Sequence, residues 1–342
     1  MRTAWVTVEG GLLRRAGGRL IVARGAEELA SLVAAELEQV CVVGNVTISA
    51  GALDLLAEHR IDLALLSSRG RLRARLSTTG AGNAPLRVGQ YRLLEQPARA
   101  GAFARAVVAG KLLNQRVLLL RAARQRKPAD NEAAAVERLK DAARALAAQR
   151  VRLQATQAEV EAVRGHEGAG AARYFGAFDD LVGHPSFRFT GRSRRPPLDP
   201  LNALLSFGYT LLTTRMLAAL DVVGLDPLPG LLHAPEGSRP SVALDLMEPF
   251  RPLVVDALVV GAVRHGVIRP EHFDTPGPGE PVVLTDDGRR IFVGLFAARI
   301  ERDFVDVRTG RRRRLQDLLV EEARAFARFI LQDEPFIPQA MR

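Results

Sequence analysis

The sequence IDLALLSSRGRLRARL at 61–76 runs directly into STTGAGNAP at 77–85, and the junction between these two strings decides the fold. The first string holds two apolar runs around Ser68-Arg69-Gly70, which is a typical hairpin signal. The second consists of small and turn-forming residues, which are typical of a linker. We therefore predict that a β-rich domain covers 1–78, and that 79–95 contain a short linker and the start of a helical region.

Upstream of this junction the chain alternates short apolar runs with glycine turns, which predicts further strands. SAGALDLLAEH at 49–59 instead predicts one amphipathic helix. Residues 27–38 have helical spacing but run straight into an apolar string, so helix and strand both remain open for them. The other predicted strands lie in WVTV at 5–8, GLLRRAGGRLIVA at 11–23 with a hairpin at Ala16-Gly17-Gly18, and QVCVVGNVTIS at 39–49.

Downstream of the junction, apolar residues recur at three- and four-residue spacing, which predicts helices. Arg311 to Arg314 form a run of four arginines that we interpret as a loop. The predicted fold class is therefore α+β, with the N-terminal β-rich domain joined by a short linker to an all-α domain over 96–342. The predicted helices are 96–128, 130–163, 167–182, 199–220, 241–264, 286–304 behind a Thr285 cap, and 315–331.

The composition of the 342 residues is strongly basic, with 48 Lys and Arg against 38 Asp and Glu and a formal net charge of +10. Such a balance favours polyanionic partners, and arginine, which supplies 45 of the 48 basic residues, pairs with phosphate through two parallel hydrogen bonds. A GC-rich genome would also produce an arginine- and alanine-rich chain, so composition alone leaves nucleic-acid binding open.

The single cysteine, Cys41, excludes an internal disulfide and a cysteine-rich zinc site. Its apolar setting indicates a buried thiol. The N-terminus has no apolar signal region, and no apolar run reaches the ~20 residues of a membrane span. We therefore expect a cytoplasmic protein with no membrane segment.

One imidazole and three carboxylates in the second half of the chain suggest a metal site. Asp245 and Glu248 lie three residues apart on a predicted helix, so they share a face, and their apolar surroundings imply that a cation accompanies them. Glu167 lies at the predicted first turn of a helix, where the helix dipole alone would favour it. His233 alone could equally be a satisfied core or capping histidine. Each residue separately therefore has a simpler explanation than ligation.

A shared ion at Glu167, His233 and Glu248 would suit Mg²⁺ or Mn²⁺, because these ions accept carboxylates and imidazole and keep waters that phosphate oxygens can replace. Zinc accepts the same ligand types, so the identity of the metal stays open. Such an ion polarises a phosphodiester and orients the attacking oxygen, either water or a 3′-hydroxyl. A hard metal in a basic protein points to phosphodiester chemistry on nucleic acid.

At these strings the chain resembles the CRISPR-associated adaptation integrases, metal-dependent DNA endonucleases that insert new spacers into CRISPR arrays. The resemblance covers essentially the whole length. Its most specific part is RRPPLDPLNALLSFGY at 194–209, because few other families place such a turn before a helix. The other strings are GQYRLL at 89–94, GKLLNQ at 110–115, EGAGAARYFGAF at 167–178, LLH at 231–233, SVALDLMEPFRPLVVD at 241–256 and VVLTDDGRR at 282–290.

The resemblance implies that Glu167, His233 and Glu248 are the metal ligands and that Asp245 is an acidic residue close to the metal, all four being catalytic. It implies a flexible linker between the β domain and the helical domain that holds the metal. It also implies homodimers, formed through the β domains, that flank a dimer of a small companion adaptation protein in a heterohexamer. The expected DNA partners are prespacer fragments, the CRISPR repeat and branched DNA.

The arginines before the PPLDP turn, Arg192, Arg194 and Arg195, are candidates for contacts to the DNA backbone, and surface solubility is the alternative. Arg311 to Arg314 form a second candidate cluster.

Two other functions remain open. A related transposon integrase would use the same fold and ligands, although that branch often carries additional C-terminal DNA-binding domains. This chain continues for about ten residues beyond its last predicted helix, which favours the CRISPR role. A basic scaffold that bridges DNA without cleaving it would need no metal, so metal-dependent nicking of branched DNA separates it from both enzymes.

Overall fold

The computed structural model describes residues 2–77, 82–126, 132–156, 159–275, 277 and 279–341. Part of the predicted linker, 78–81, lies outside the described residues. The same is true of 130 and 131, where the second predicted helix was expected to begin.

Within residues 2–77 the chain forms two four-stranded sheets, ordered β1-β5-β7-β8 and β4-β3-β2-β6. Both predicted hairpins are confirmed, because β2 pairs antiparallel with β3, and β7 pairs antiparallel with β8. The segment left open at 27–38 forms a strand followed by a short 3₁₀ turn. The elements are β1 (Thr3–Val6), β2 (Gly11–Ala16), β3 (Arg19–Arg24), β4 (Glu27–Val33), a 3₁₀ turn (Ala34–Glu36), β5 (Gln39–Val43), β6 (Val46–Ile48), α1 (Ala50–Glu58), β7 (Asp62–Leu66) and β8 (Leu72–Leu76).

Strand β5 joins the β domain to the helical body. Val40 and Val42 pack into the core between the two sheets, whereas Cys41 and Val43 pack into the core of the helices. A strand buried on both faces needs a continuous apolar run, which is why QVCVV shows no polar alternation. Burial raises the pKa of the Cys41 thiol to about 12, in agreement with the buried thiol predicted from the sequence.

The buried Arg215 adds a polar connection between the two parts of the chain. Its guanidinium donates hydrogen bonds to Thr3 and Gln39, in strands β1 and β5. Part of the β domain shares a core with the helices through Cys41, Val43, Ala64 and Leu66, and the flexible linker that the resemblance implied stays a prediction.

Downstream of residue 82 the chain is mainly helical, so the α+β fold class is confirmed. The expectation of an all-α domain is wrong in detail, because two short antiparallel strand pairs, β9–β10 and β11–β12, lie among the helices. The helices are α2 (Ala84–Leu93), α3 (Pro97–Gln125), α4 (Ala133–Ala155), α5 (Val160–Gly176), α6 (Phe178–Val182), α7 (Pro200–Val223), α8 (Ser241–Met247), α9 (Ala257–Arg264), α10 (Asp286–Ile300) and α11 (Leu315–Gln332); the other elements are a π-helical turn (Arg251–Asp256), a 3₁₀ turn (Pro270–His272), β9 (Phe273–Asp274), β10 (Val283–Leu284), β11 (Asp303–Val305) and β12 (Arg312–Arg314).

Helix α7 runs through the centre of the helical body. The Asp199 side chain accepts a hydrogen bond from the Asn202 backbone N–H at 2.8 Å, and Pro200 occupies the first turn, so the DPLN string sets the start of the helix. Gly224, at φ +87°, ends it. In the part of the chain that the structure describes, α7 is the one helix long and apolar enough to cross a membrane, and 78% of its most apolar window is buried inside the protein.

The predicted single helix at 241–264 is interrupted in the middle. Pro249 and Pro252 have no backbone N–H to donate, so the regular hydrogen-bond ladder cannot continue through them. The chain instead passes from α8 through the π-helical turn into α9. Glu248 therefore lies at the end of α8, where the chain changes its helical geometry.

Candidate metal centre

Helices α3, α5 and α8 bring three charged side chains together, and the central one is a cation. The Lys111 ammonium, on α3, donates a hydrogen bond to Glu167 on α5. It also lies 2.7 Å from Glu248 Oε2, at the end of α8. Burial alone would lower the pKa of Lys111, but the two carboxylates outweigh that effect and raise it. The side chain therefore remains a cation between two anions.

Lys111 was given no role from the sequence, although its string, GKLLNQ, was part of the family resemblance. Two signals could have identified it. It is one of only three lysines in a chain with 45 arginines, and it lies within an apolar stretch of α3. A lysine at a buried helical position needs a carboxylate partner, and Glu167 and Glu248 supply two.

The position expected for Glu167 is wrong. We expected the first turn of a helix, but α5 begins at Val160, so Glu167 lies in its third turn and is not stabilised by the helix N-terminus. Its described partner is Lys111, and its side chain is 27% exposed. The orientation of Glu167 therefore comes from contact with α3.

Asp245 orients His233 through both its backbone and its ring. This buried carboxylate accepts hydrogen bonds from the backbone N–H groups of Leu231, Leu232 and His233 at 2.7, 2.9 and 2.9 Å, and it lies 2.6 Å from His233 Nδ1. A carboxylate at Nδ1 places the ring proton there and leaves the Nε2 lone pair free in the neutral imidazole. Nε2 lies 3.9 Å from Glu248 Oε1. Asp245 therefore orients the imidazole from its Nδ1 side and leaves Nε2 available.

Glu248 is the most buried of the three predicted ligands, with 3% of its side chain exposed. Burial would raise its pKa, but Arg251, Lys111 and His233 together lower the pKa of this carboxyl to about 2. The Arg251 guanidinium lies 3.2 Å from Glu248 Oε1. Glu248 is thus a carboxylate throughout the physiological pH range.

Arg251 is held in turn by a buried polar network. Its guanidinium lies over the Tyr209 ring, 4.7 Å from the centroid. The Tyr209 hydroxyl donates to Asp256 at 2.6 Å, and the Tyr174 hydroxyl donates to the other oxygen of Asp256 at 2.8 Å. The network links α5, α7 and the π-helical turn, so the cation beside Glu248 has little freedom to move.

The donor types fit a hard divalent ion, because such ions accept carboxylates and an imidazole whose Nδ1 is bound to a carboxylate. In this geometry, however, the described residues contain no group of three or more His, Cys, Asp or Glu side chains placed to hold a metal ion. The Lys111 ammonium lies between Glu167 and Glu248 instead. The chain therefore brings the three predicted ligands to one site without closing a coordination shell.

The arginine candidates for DNA contact separate into two kinds. Arg192 is turned inward and donates to Asn202 Oδ1 at 2.6 Å and to Ser206 Oγ at 3.0 Å, and burial lowers its pKa. Arg194 and Arg195 are exposed. The Arg192 guanidinium therefore stabilises the first turns of α7, whereas Arg194 and Arg195 are the two of these arginines that are exposed to a ligand.

The second arginine cluster is ordered rather than a loop. Arg312 to Arg314 form strand β12, paired with β11. Arg314 forms ion pairs with Asp317 and Glu301, and Arg313 lies 3.7 Å from Glu321. Acidic neighbours therefore account for the side chains of Arg313 and Arg314 without a ligand.

Comparison with known proteins decides the family. The family described as CRISPR associated protein Cas1 matches residues 4–298. The chain belongs to the Cas1 family. It is 39% identical over 301 residues to the CRISPR-associated endonuclease Cas1 2 of Rhodospirillum rubrum, which covers 87% of this chain and 86% of that protein. It is 34% identical over 340 residues to the CRISPR-associated endonuclease Cas1 1 of Chlorobaculum tepidum, covering 99% and 97%.

Solved structures agree with the fold. A Cas1 protein from Thermotoga maritima matches with a TM-score of 0.80 at 23% identity, over 98% of this chain and 99% of that one. A casposase bound to its integration product matches with a TM-score of 0.83 at 21% identity, over 99% and 93%. The family resemblance inferred from the sequence is therefore confirmed, and so is the Cas1 fold.

Proposed function

We propose that this Cas1 family member is a metal-dependent DNA endonuclease and integrase that inserts spacers into CRISPR arrays. The observation that carries the proposal is that Glu167 and Glu248, from separate elements, both contact the buried Lys111 ammonium, while His233 Nε2 lies 3.9 Å from Glu248 Oε1. The two relatives named above are both called CRISPR-associated endonucleases, which supports the same conclusion.

Glu167, His233 Nε2 and Glu248 would hold Mg²⁺ or Mn²⁺. When bound, such an ion supplies Lewis-acid polarisation of a phosphoryl oxygen and aligns the attacking group. The protein's own residues prepare the ligands. Asp245 holds His233 Nδ1, so that the Nε2 lone pair is available, and Arg251 keeps Glu248 ionised. Arg194 and Arg195, which are exposed, would bind the DNA backbone through its phosphates.

The proposed reaction is a transesterification. The 3′-oxygen of a captured fragment forms a new bond to phosphorus at the repeat boundary, and the bond from that phosphorus to the 3′-oxygen of the repeat breaks. The attacking hydroxyl loses a proton and the departing oxygen gains one, so the number of phosphodiester bonds is unchanged. Water in place of the 3′-hydroxyl gives hydrolysis, which is the endonuclease activity.

We further propose that the protein works in the cytoplasm as a homodimer, together with a small companion adaptation protein in a heterohexamer. One structural neighbour is a Cas6-RT-Cas1–Cas2 complex, with a TM-score of 0.82 at 23% identity. Edge strand β4 exposes most of its side chains and offers a surface for a second copy through the β domain.

Transposon integration is the second candidate, because the casposase shares the fold. The sequence relatives favour the CRISPR role, since both relatives named above are called CRISPR-associated. Substrate choice separates the two functions. A CRISPR integrase joins DNA at repeat boundaries, whereas a transposon integrase requires the ends of its own element.

The test is the joining of a short 3′-OH duplex to a repeat-bearing plasmid with purified companion protein, in Mn²⁺, Mg²⁺ or EDTA. We expect joined product with either metal and none in EDTA. His233→Ala should abolish joining, whereas His59→Ala, an exposed histidine at the end of α1, should retain it. Joining that survives EDTA or His233→Ala would contradict the proposal. Tight DNA binding without joining under any metal would favour the scaffold.

A further inference from the structure

Lys111 lies between two of the three predicted ligands. Its ammonium contacts both Glu167 and Glu248, and only 7% of its side chain is exposed. The buried ammonium offsets one of the two carboxylate charges, and Arg251, whose guanidinium lies 3.2 Å from Glu248 Oε1, offsets the other. The site is therefore neutralised before any metal arrives.

The backbone around Lys111 is closely confined. A Cβ on Gly110 would lie 2.7 Å from Pro338 and 3.6 Å from Pro249, and a Cβ on Gly170 of α5 would lie 2.3 Å from Leu112. Helices α3 and α5 thus approach each other closely beside the site. Because the helix backbones have little room to move, a change at the centre comes from side chains, and the four-carbon side chain of the lysine is the most flexible of them.

We propose that Lys111 is a resident counter-cation that a divalent ion must displace, and that it thereby weakens the affinity of the site for metal. The inference rests on the proposed function, because it takes the same three side chains as ligands. Glu167 and Glu248 can reach one ion only after the ammonium leaves the space between them. The 27% exposure of Glu167 marks the side of the site that is open to solvent.

Labelling of the unmodified protein tests the displacement directly. With only three lysines in the chain, an amine-selective reagent followed by mass spectrometry resolves each one. We expect Lys111 to react slowly in EDTA and several-fold faster when Mn²⁺ saturates the protein. Lys140, which is 45% exposed on α4, should react equally in both and serves as the internal control.

The matched variants are Lys111→Met and Lys140→Met, compared by calorimetric titration with Mn²⁺ in the absence of DNA. Removing the competing ammonium should tighten Mn²⁺ binding by about tenfold or more, because two cations a few ångströms apart repel. Lys140→Met should bind as the unmodified protein does. In EDTA, Lys111→Met should melt at a lower temperature, and Mn²⁺ should raise its melting temperature by more than it raises that of the unmodified protein.

The outcomes separate this inference from the proposed function. Two outcomes would overturn the inference without contradicting the proposed metal centre. One is equal Mn²⁺ affinity in Lys111→Met and the unmodified protein, and the other is weaker Mn²⁺ binding by the variant. Mn²⁺ binding by the variant alone would support the counter-cation and contradict a working metal centre in the unmodified chain. Absence of binding in both proteins would contradict both. Should the variant fail to fold, unchanged Lys111 labelling in Mn²⁺-loaded unmodified protein overturns the inference by itself.

Discussion

The Asn114 side-chain amide donates a buried hydrogen bond of 2.7 Å to the carbonyl oxygen of Pro249. Pro249 directly follows Glu248, and Asn114 lies one helical turn beyond Lys111. The same amide donates to the Gln339 carbonyl at 3.1 Å, and Asn114 Oδ1 accepts from the Met341 N–H at 2.7 Å. One side chain therefore connects the lysine helix, the Glu248 segment and the segment at 339–341.

Asn114→Asp should destabilise the protein strongly. An ionised aspartate can still accept the hydrogen bond from Met341, but it cannot donate to Pro249 or Gln339. It also buries a negative charge. We expect a loss of about 2–4 kcal/mol in the free energy of unfolding, measured by urea denaturation. Gln154→Glu, the same amide-to-acid change on an exposed side chain of α4, is the control and should change stability by less than ~0.5 kcal/mol. Similar stability of the two variants would contradict the connecting role.

Asp245→Asn should reduce joining without releasing DNA. The amide has one acceptor oxygen where the carboxylate has two, and its N–H₂ faces groups that are themselves donors, so His233 loses its fixed orientation. Replacement of a residue that orients a metal ligand costs about 10–100-fold in activity. The initial rate of joining measures this loss, and the dissociation constant for the DNA should change less than about twofold. A wild-type rate in the variant would remove Asp245 from the orienting role.

The three arginines before α7 should respond differently to substitution. Arg194→Ala combined with Arg195→Ala should weaken DNA binding and flatten the dependence of affinity on salt, by about 0.9 in log–log slope for each phosphate that the protein no longer neutralises. Arg192→Ala should instead lower the free energy of unfolding, because its guanidinium holds Asn202 and Ser206. Fluorescence anisotropy at several salt concentrations and urea denaturation of each variant provide the measurements. A flattened salt dependence in Arg192→Ala with unchanged stability would reverse the assignment.

Local patterns in the sequence predicted the fold well. Glycine turns located both hairpins, and the Thr285 cap located the start of α10, because each depends on a few neighbouring residues. The break after Glu248 was missed even though it also has a local cause, the two prolines at 249 and 252. Apolar residues recur at helical spacing on both sides of these prolines, and that spacing alone predicts one helix.

The site was predictable as a set of residues but not as a geometry. The family strings name Glu167, His233, Asp245 and Glu248, and their role in metal binding stays a prediction. The structure links Glu167 to Glu248 through Lys111, and His233 to Asp245 directly. No local sequence pattern indicates that Asp245 binds Nδ1 of His233, because that contact depends on how the turn before α8 folds. The position of Lys111 between two carboxylates depends on the packing of α3 against α5 and α8, which spacing along one helix does not reveal.

Glu322 should make the protein less stable as the pH rises from 4.5 to 7. This carboxyl is fully buried on α11, and burial raises its pKa to about 7, although Arg308 at 2.8 Å and the Gln339 N–H act to lower it. Its ordinary value is 4.5, so the folded protein holds the proton more tightly than the unfolded chain does. The stabilisation is complete below pH 4.5 and is lost as the pH rises through 7, by about 3 kcal/mol in total.

The comparison with Glu322→Gln isolates this contribution, because the amide resembles the protonated acid in shape and does not titrate. We expect the free energy of unfolding of the unmodified protein, minus that of the variant, to fall between pH 4.5 and 7 and then level off. Urea denaturation at half-unit pH intervals measures it, and all other ionisable groups cancel in the difference. A difference that rises with pH over this range would mean that Arg308 outweighs burial, so that Glu322 is held as a carboxylate.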